Sequence, residues 1–400
     1  MKTFSNFNFH LYNEIVFGPD AELQTADLVK KHGGTKVMVV VDGGGFVKKS
    51  GLFDRVVATL DAAGIPYVEL GGVAPNPRRS LVYKGVELGK KEGVDFLLAM
   101  GGGSTIDTAK AVGLGIAYEG DVWDFYSYKT FPVKTTKVGS IHTIAAAGSE
   151  LSRASVILDD IDTQKKSGVG TPFNRTVFAI MNPELTYTVP AFQTACGAVD
   201  MFGHTLENYF VNGADCYLGD QFAEGLMRAV VKYGPIAYKD GANAEARREL
   251  MLCAGFSHDI TAIGKSGILA GPHWLEDIFS SYYDTAHGAG LAVMMPAWLR
   301  FVIERGSEAN VDRVAQFAVK VFGVEPDMED KKAVALEGVK RLQDWQDTLG
   351  MPTTLTQMGV PKEDLDKLVA NAWQDQEGIL RGYLDLDKDD VRYIYGSLLQ

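Results

Sequence analysis

Two pairs of residues in this chain have the types and spacing to hold a metal ion. Asp200 and His204 lie four apart in AVDMFGHTLE, and His273 and His287 bracket HWLEDIFSSYYDTAH. On a helix, a spacing of four puts both side chains on one face, one turn apart. A carboxylate and an imidazole so placed can grip one ion, and two further histidines can complete the set. Iron and zinc both accept these nitrogen and oxygen donors. The competing reading is a set of satisfied core or surface residues. Glu207 shares the Asp200/His204 face and reads as an outer partner of a ligand or as a surface ion pair. His10, His32, His142 and His258 have no partner at useful spacing and read as structural.

A second stretch carries different chemistry. MGGGSTIDTAK, residues 100–110, is the end of an apolar run, then glycines, then a helix-like segment. Gly101, Gly102, Gly103 and Ser104 can let the backbone approach a pyrophosphate, with the unpaired N–H groups of the helix start aimed at it. The alternative is a glycine turn that only packs a strand on a helix. The P-loop pattern GxxxxGK[ST] is absent, so kinase or ATPase chemistry has no support. Asp42 ends another apolar run and precedes Gly43 and Gly44. A carboxylate there can accept from a ribose diol and would repel a 2′-phosphate, favouring NAD over NADP. It can equally be a turn aspartate. A nucleotide site and a metal site in one chain together suggest hydride transfer.

Composition narrows the field. At 400 residues, 46% hydrophobic and 22% charged, the chain has the make-up of a globular protein with room for two domains. A net charge of -12 argues against a nucleic-acid partner. Cys196, Cys216 and Cys253 have no paired spacing and fit a reducing, cytoplasmic setting. The N-terminal stretch lacks the apolar segment of a secretory signal. The most apolar stretch, residues 291–303, is too short to span a bilayer and contains Arg300, so no membrane association is expected.

Elements able to position these residues follow from the patterning. Strands are expected at 14–17, 36–41, 67–71, 95–100, 137–143, 152–158 and 176–181, with helices at 51–63, 81–92 and 105–114 between them. This alternation predicts a mostly parallel sheet with helices on both faces. After Pro190 the spacing turns helical almost throughout, with helices expected at 191–210, 218–238, 244–260, 272–283, 291–305, 311–322, 331–349, 365–372 and 389–399. The boundary falls near residues 188–190. An α/β dinucleotide-binding domain over 1–188 and an all-α metal-binding domain over 189–400 are therefore expected.

The chain resembles the iron-containing (group III) alcohol dehydrogenase family, and within it the butanol dehydrogenases. The likeness is carried by IVFG, VDGGGFVKKSG, GVAPNPR, MGGGSTIDTAK, AAGSELS, NPELTYTVP, VDMFGHTLENY, HGAGLAVMMPAW and MPTTLTQMGV, spread over nearly the whole chain. The resemblance implies the dehydroquinate synthase-like architecture of an α/β domain and a helical domain, with the active site between them, and a homodimer. It assigns the ligands of a divalent metal, Fe2+ or Zn2+, to Asp200, His204, His273 and His287. It places Gly102, Gly103 and Ser104 at the pyrophosphate and Asp107 near the nicotinamide ribose. Thr143, Ser149, Asn76, Lys166, Thr186 and Val189 match further cofactor positions. Relatives that use NADP resemble YGGGS at the first glycine cluster; here Asp42 and Phe46 replace the tyrosine and the serine, which supports NAD. Many relatives carry a histidine suspected of relaying protons four residues after the third ligand, and this chain has Asp277. The activity implied is reversible oxidation of a short-chain primary alcohol such as butanol. The alternatives are a glycerol-type polyol dehydrogenase and a dehydroquinate synthase-like lyase.

Overall fold

The computed structural model describes residues 7–212, 216–265, 271–372 and 377–399. The first residues of the stretch read above for a secretory signal lie outside them. Among the described residues, His10–Val189 forms one compact unit, and residues 7–9, which the expected boundary put with it, group instead with the unit that runs from Pro190 onward.

The strands of the first unit are β1 (Glu14–Phe17), β2 (Val37–Asp42), β3 (Tyr67–Val73), β4 (Phe96–Gly101), β5 (Lys137–His142), β6 (Ala154–Leu158), β7 (Lys166–Gly170) and β8 (Phe178–Met181). Its helices are α1 (Thr25–Lys31), α2 (Phe46–Lys49), α3 (Leu52–Ala62), α4 (Arg79–Glu92), α5 (Gly103–Ile116) and α6 (Trp123–Tyr126). Six strands form one parallel sheet in the order β1-β8-β5-β4-β2-β3. Strand side chains alternate between faces, so an unbroken apolar run requires cover on both. In β2, Val37, Val39 and Val41 pack with Leu28 and Val29 of α1 and Val56 and Leu60 of α3. Met38 and Val40 pack on the other side with Val82 of α4 and Ala109 and Val112 of α5. The unit is thus doubly wound.

The sheet order reverses at β2, which has β3 on one side and β4 on the other. Ligands of such sheets bind beyond the carboxyl ends of the strands at that point. Val41 pairs with Met100, and Gly101 with His142, so β2, β4 and β5 finish at one level.

One expected strand lies elsewhere. Residues 152–158 do not join the sheet; β6 pairs antiparallel with β7 as a separate hairpin. The turn is stabilised locally, because the Asp159 carboxylate accepts from the backbone N–H of Asp162 and Thr163 at 3.2 and 3.0 Å.

The second unit comprises α7 (Ala191–Tyr209), α8 (Tyr217–Lys239), α9 (Ala244–Phe256), α10 (Pro272–Tyr283), α11 (His287–Arg305), α12 (Glu308–Phe322), α13 (Lys331–Thr348), α14 (Leu365–Asn371) and α15 (Lys388–Leu398). Its β structure among the described residues is one isolated bridge, Leu380 to Leu386. α7 is buried over most of its circumference, as a central helix must be, and packs on α8, α9 and α11. Several ends differ from expectation: α9 stops at Phe256 rather than at residue 260, α12 starts at Glu308 rather than at residue 311, and α11 starts at His287 rather than at residue 291. The last places a candidate ligand at the first helical position.

Candidate active site

α7 sets the first two metal candidates. Asp200 and His204 lie one turn apart on it, with the His204 Nε2 at 3.2 Å from the Asp200 Oδ1. His273, near the start of α10, brings its Nε2 to 3.7 Å from the same oxygen. His287, opening α11, brings its Nε2 to 3.8 Å. Three imidazole nitrogens from three helices therefore converge on one carboxylate oxygen. Yet Asp200 Oδ1 and His273 Nε2 are buried without a hydrogen-bond partner. Orphaned buried polar atoms are costly. A divalent cation removes that cost, and one carboxylate with three imidazoles suits iron or zinc, so the residues present fit the implied metal.

The electrostatics differ among the members of this cluster. Burial pushes the Asp200 carboxyl up, but the imidazoles of His204 and His273, then the charge of His287, hold it well below the usual carboxylate range. Burial, with the charge of His273, pushes His204 down. Burial also pushes His273 down, but the Glu207 carboxylate prevails, aided by Asp200, and raises it to about 10. Glu207 itself is raised by burial and more strongly lowered by His273. Its Oε1 accepts from the His273 backbone N–H at 2.9 Å, and its Oε2 lies 3.1 Å from the His273 Nδ1. The Glu207 carboxylate thus sits beside Nδ1 of His273, whereas the Nε2 of that ring points towards Asp200.

Helix packing keeps these groups together. A β-carbon at Gly288 would lie 2.1 Å from the backbone oxygen of Cys196 on α7. A side chain there would force α11, and His287 with it, away from Asp200. Asp277, one turn after His273, has its carboxylate within 4.8 Å of ligand atoms of Glu276 and His287.

His258, read from the sequence as structural, has a neighbour that its sequence spacing did not show. Its ring lies tilted against that of His204 with centroids 4.0 Å apart, and His204 stacks on His273 at the same distance. No sequence spacing could show this, because His258 reaches α7 only through tertiary packing.

The nucleotide candidates gather on the carboxyl edge of the parallel sheet. Asp42 ends β2, and its oxygens accept from the Phe46 and Val47 N–H groups at 3.0 and 3.2 Å, so it caps α2. Both earlier readings of Asp42 can hold together, since these bonds use only part of its accepting capacity. The Gly43 N–H donates to Val73 at 2.8 Å, and a β-carbon on Gly44 would meet Asp42 Oδ2 at 3.3 Å. Gly102 precedes α5 and gives the first-turn N–H groups of Gly103 and Ser104 no side-chain cap. A β-carbon on Gly102 would lie 2.5 Å from Ile144. Thr143 follows β5 and donates its N–H to Gly101 at 3.1 Å. Asn76 follows β3 with φ 53. Thr186 and Val189 lie beyond β8 and are joined by a hydrogen bond of 3.1 Å from the Val189 N–H. Lys166 opens β7 on the hairpin, opposite Leu158.

Asp107 has internal partners. It accepts from Ser149 Oγ at 2.6 Å and the Val156 N–H at 2.9 Å. Burial raises its carboxyl above the ordinary value, against the charge of Lys110 and these two bonds. Lys110, absent from the sequence reading, is fully buried. Its Nζ donates to Ser149 O at 2.7 Å and Ala154 O at 2.8 Å. Asp107 and Lys110 therefore fasten residues 149–156 to α5. Their spacing of three on one helix was the available signal.

A doubly wound sheet with a glycine-bearing carboxyl edge, and a helical unit holding Asp and three His, are the parts of a metal- and nicotinamide-dependent oxidoreductase. Comparison with known proteins agrees. The sequence profile of the iron-containing alcohol dehydrogenases matches residues 13–183, and that of the C-terminal region of the Fe-containing alcohol dehydrogenase family matches residues 194–399. The chain is 36% identical over 395 residues to the probable NADH-dependent butanol dehydrogenase 1 of Bacillus subtilis, covering 98% of this chain and 100% of that one. It is 32% identical over 391 residues to NADH-dependent butanol dehydrogenase A of Clostridium acetobutylicum, covering 98% of each. The solved structure of NADH-dependent butanol dehydrogenase A from Thermotoga maritima superposes with a TM-score of 0.92 at 35% identity, over 100% of both chains. The chain belongs to the iron-containing alcohol dehydrogenase family. It is an oxidoreductase of the alcohol dehydrogenase and aldehyde reductase type, dependent on NAD(P) and a divalent metal.

Proposed function

We propose that the enzyme interconverts short-chain primary alcohols and their aldehydes, butanol and butyraldehyde among them, with NAD in preference to NADP. The observation that carries the reading is the convergence of three imidazole Nε2 atoms on one otherwise unbonded Asp200 oxygen. The substrate class is supported by the butanol dehydrogenases to which the chain is similar.

In this reading residues 1–188 bind the dinucleotide and residues 189–400 hold the metal. Asp200, His204, His273 and His287 are its ligands. Bound there, a divalent ion supplies Lewis acidity to the alcohol or carbonyl oxygen, and bound nicotinamide supplies or accepts the hydride. Gly102, Gly103 and Ser104 offer backbone N–H groups to the pyrophosphate. Gly43, Gly44, Asn76, Thr143, Ser149, Lys166, Thr186 and Val189 line the rest of the cofactor, and Asp107 sets the position of Ser149 beside it. Asp277 takes up or returns the alcohol proton. Asp277→Asn then removes one limb of the pH dependence of kcat; an unaltered pH–rate profile takes Asp277 out of the proton path.

Asp42 carries the cofactor preference by accepting from the ribose and repelling a 2′-phosphate. Asp42→Asn retains an acceptor for the α2 cap and removes the charge, whereas glycine would also release the cap. The ratio of kcat/KM for NADP to that for NAD should rise by about tenfold or more, since juxtaposed like charges cost several kcal/mol. An unchanged ratio would dismiss Asp42 from this role.

A cytoplasmic homodimer fits this reading. The three cysteines are free, and no helix among the described residues is long and apolar enough to cross a membrane.

A further inference from the structure

Beyond the four ligand candidates, α10 carries a carboxylate whose placement is directed at the metal centre. Glu276 lies three residues after His273 and is completely buried. Its Oε2 meets the Nδ1 of His287, on the ring face opposite the nitrogen that points at Asp200. Ser280, one turn further on, donates its Oγ hydrogen to the same oxygen at 3.1 Å. The facing helix is shaped to admit this group. A β-carbon at Gly290 would lie 2.5 Å from Glu276 Oε1 and 2.6 Å from its Cγ. α11 thus carries a glycine where the carboxylate passes beneath His287.

A buried carboxylate is expensive unless its charge is compensated. Here it is set against the outer nitrogen of a histidine whose inner nitrogen has another task. At His273 a second carboxylate, Glu207 from a different helix, lies 3.1 Å from the corresponding Nδ1. We propose that Glu276 is a positioning residue of the metal centre, keeping the proton on His287 Nδ1 and so presenting Nε2 as an oriented, more basic ligand. The inference rests on the proposed metal site. It adds that α10 provides both a ligand, His273, and the brace for the ligand of the next helix, so that the two ligands are coupled through one helix.

Glu276→Gln preserves shape and removes the charge. In the purified, metal-stripped protein, affinity for Co2+ and Zn2+ by chelator competition should fall about 10- to 100-fold. The visible absorption of the cobalt-loaded protein should shift, and kcat should fall more than KM rises. A Gln variant with wild-type affinity and an unshifted cobalt spectrum overturns the proposal, whatever its melting temperature. Should that variant fail to fold, Ser280→Ala carries the test: it removes one donor from the same oxygen and should weaken binding in the same direction, and wild-type affinity there overturns the proposal. A wild-type protein that binds neither metal would instead overturn the metal-site reading itself.

Discussion

His273→Ala abolishes metal binding and NADH-dependent aldehyde reduction together. The substitution removes one of the three nitrogens around Asp200 Oδ1. It also leaves Glu207, a buried carboxylate, without the imidazole that holds its pKa down. Loss of an outer partner of a metal ligand costs 10- to 100-fold, so loss of the ligand should cost on the order of 1000-fold or more in affinity. Equilibrium dialysis against Zn2+ and steady-state kinetics read the two effects separately. Retained metal with lost turnover would make His273 a substrate contact rather than a ligand, and retained turnover would remove it from the site.

Asp220→Asn should destabilise the helical unit by about 3–5 kcal/mol, the usual cost of breaking a buried ion pair by removing one partner. Asp220, on α8, receives both arms of the Arg313 guanidinium at 2.7 Å and the Lys265 ammonium at 2.7 Å. All three side chains are largely buried, at 6%, 15% and 5% exposure. The guanidinium also stacks 3.7 Å over the ring of Tyr209, at the end of α7. Burial raises the Asp220 carboxyl, but Arg313 and then Lys265 lower it below its ordinary value. The two cations shift in opposite directions: Arg313 is raised by the pair against its burial, whereas burial lowers Lys265. The bidentate Arg313 contact is therefore the dominant favourable one. A carboxyl lowered in the folded state contributes stability above its unfolded pKa and loses it as pH falls through the folded pKa. Urea unfolding of the metal-free protein should show the full deficit of Asp220→Asn at neutral pH and a shrinking one in acid. Equal stability at neutral pH would contradict the assignment.

Much of this architecture was legible because it rests on local patterns. The apolar runs of β2 and β4 are covered on both faces, and such runs stand out in a sequence. Asp200 and His204 could be paired because a helix fixes their separation. The failures have physical causes of another kind. β6 was expected in the main sheet because its partner was invisible: β7 reads KSGVG, with two glycines and no apolar run. The start of α11 was missed because HGAG is poor in helix formers. Gly288 is accounted for by the backbone of Cys196 and Gly290 by Glu276, so tertiary approach outweighs propensity there. His258 and Glu276 became visible only in the packed structure, where His258, beyond the end of α9, meets His204 on α7 and Glu276 on α10 meets His287 at the start of the next helix. Asp42 shows the converse, a residue whose position was readable and whose second task, capping α2, was not.

The central claim is that this enzyme's turnover depends on a divalent metal held by Asp200 and three histidines. Its most direct test is NADH consumption with butyraldehyde, measured after chelation and again after anaerobic addition of ferrous iron or zinc. The account predicts loss on chelation and recovery with metal, the better ion naming the one the site prefers. Turnover that survives complete removal of metal would contradict it, as would the absence of turnover with either ion despite tight binding of metal and NADH.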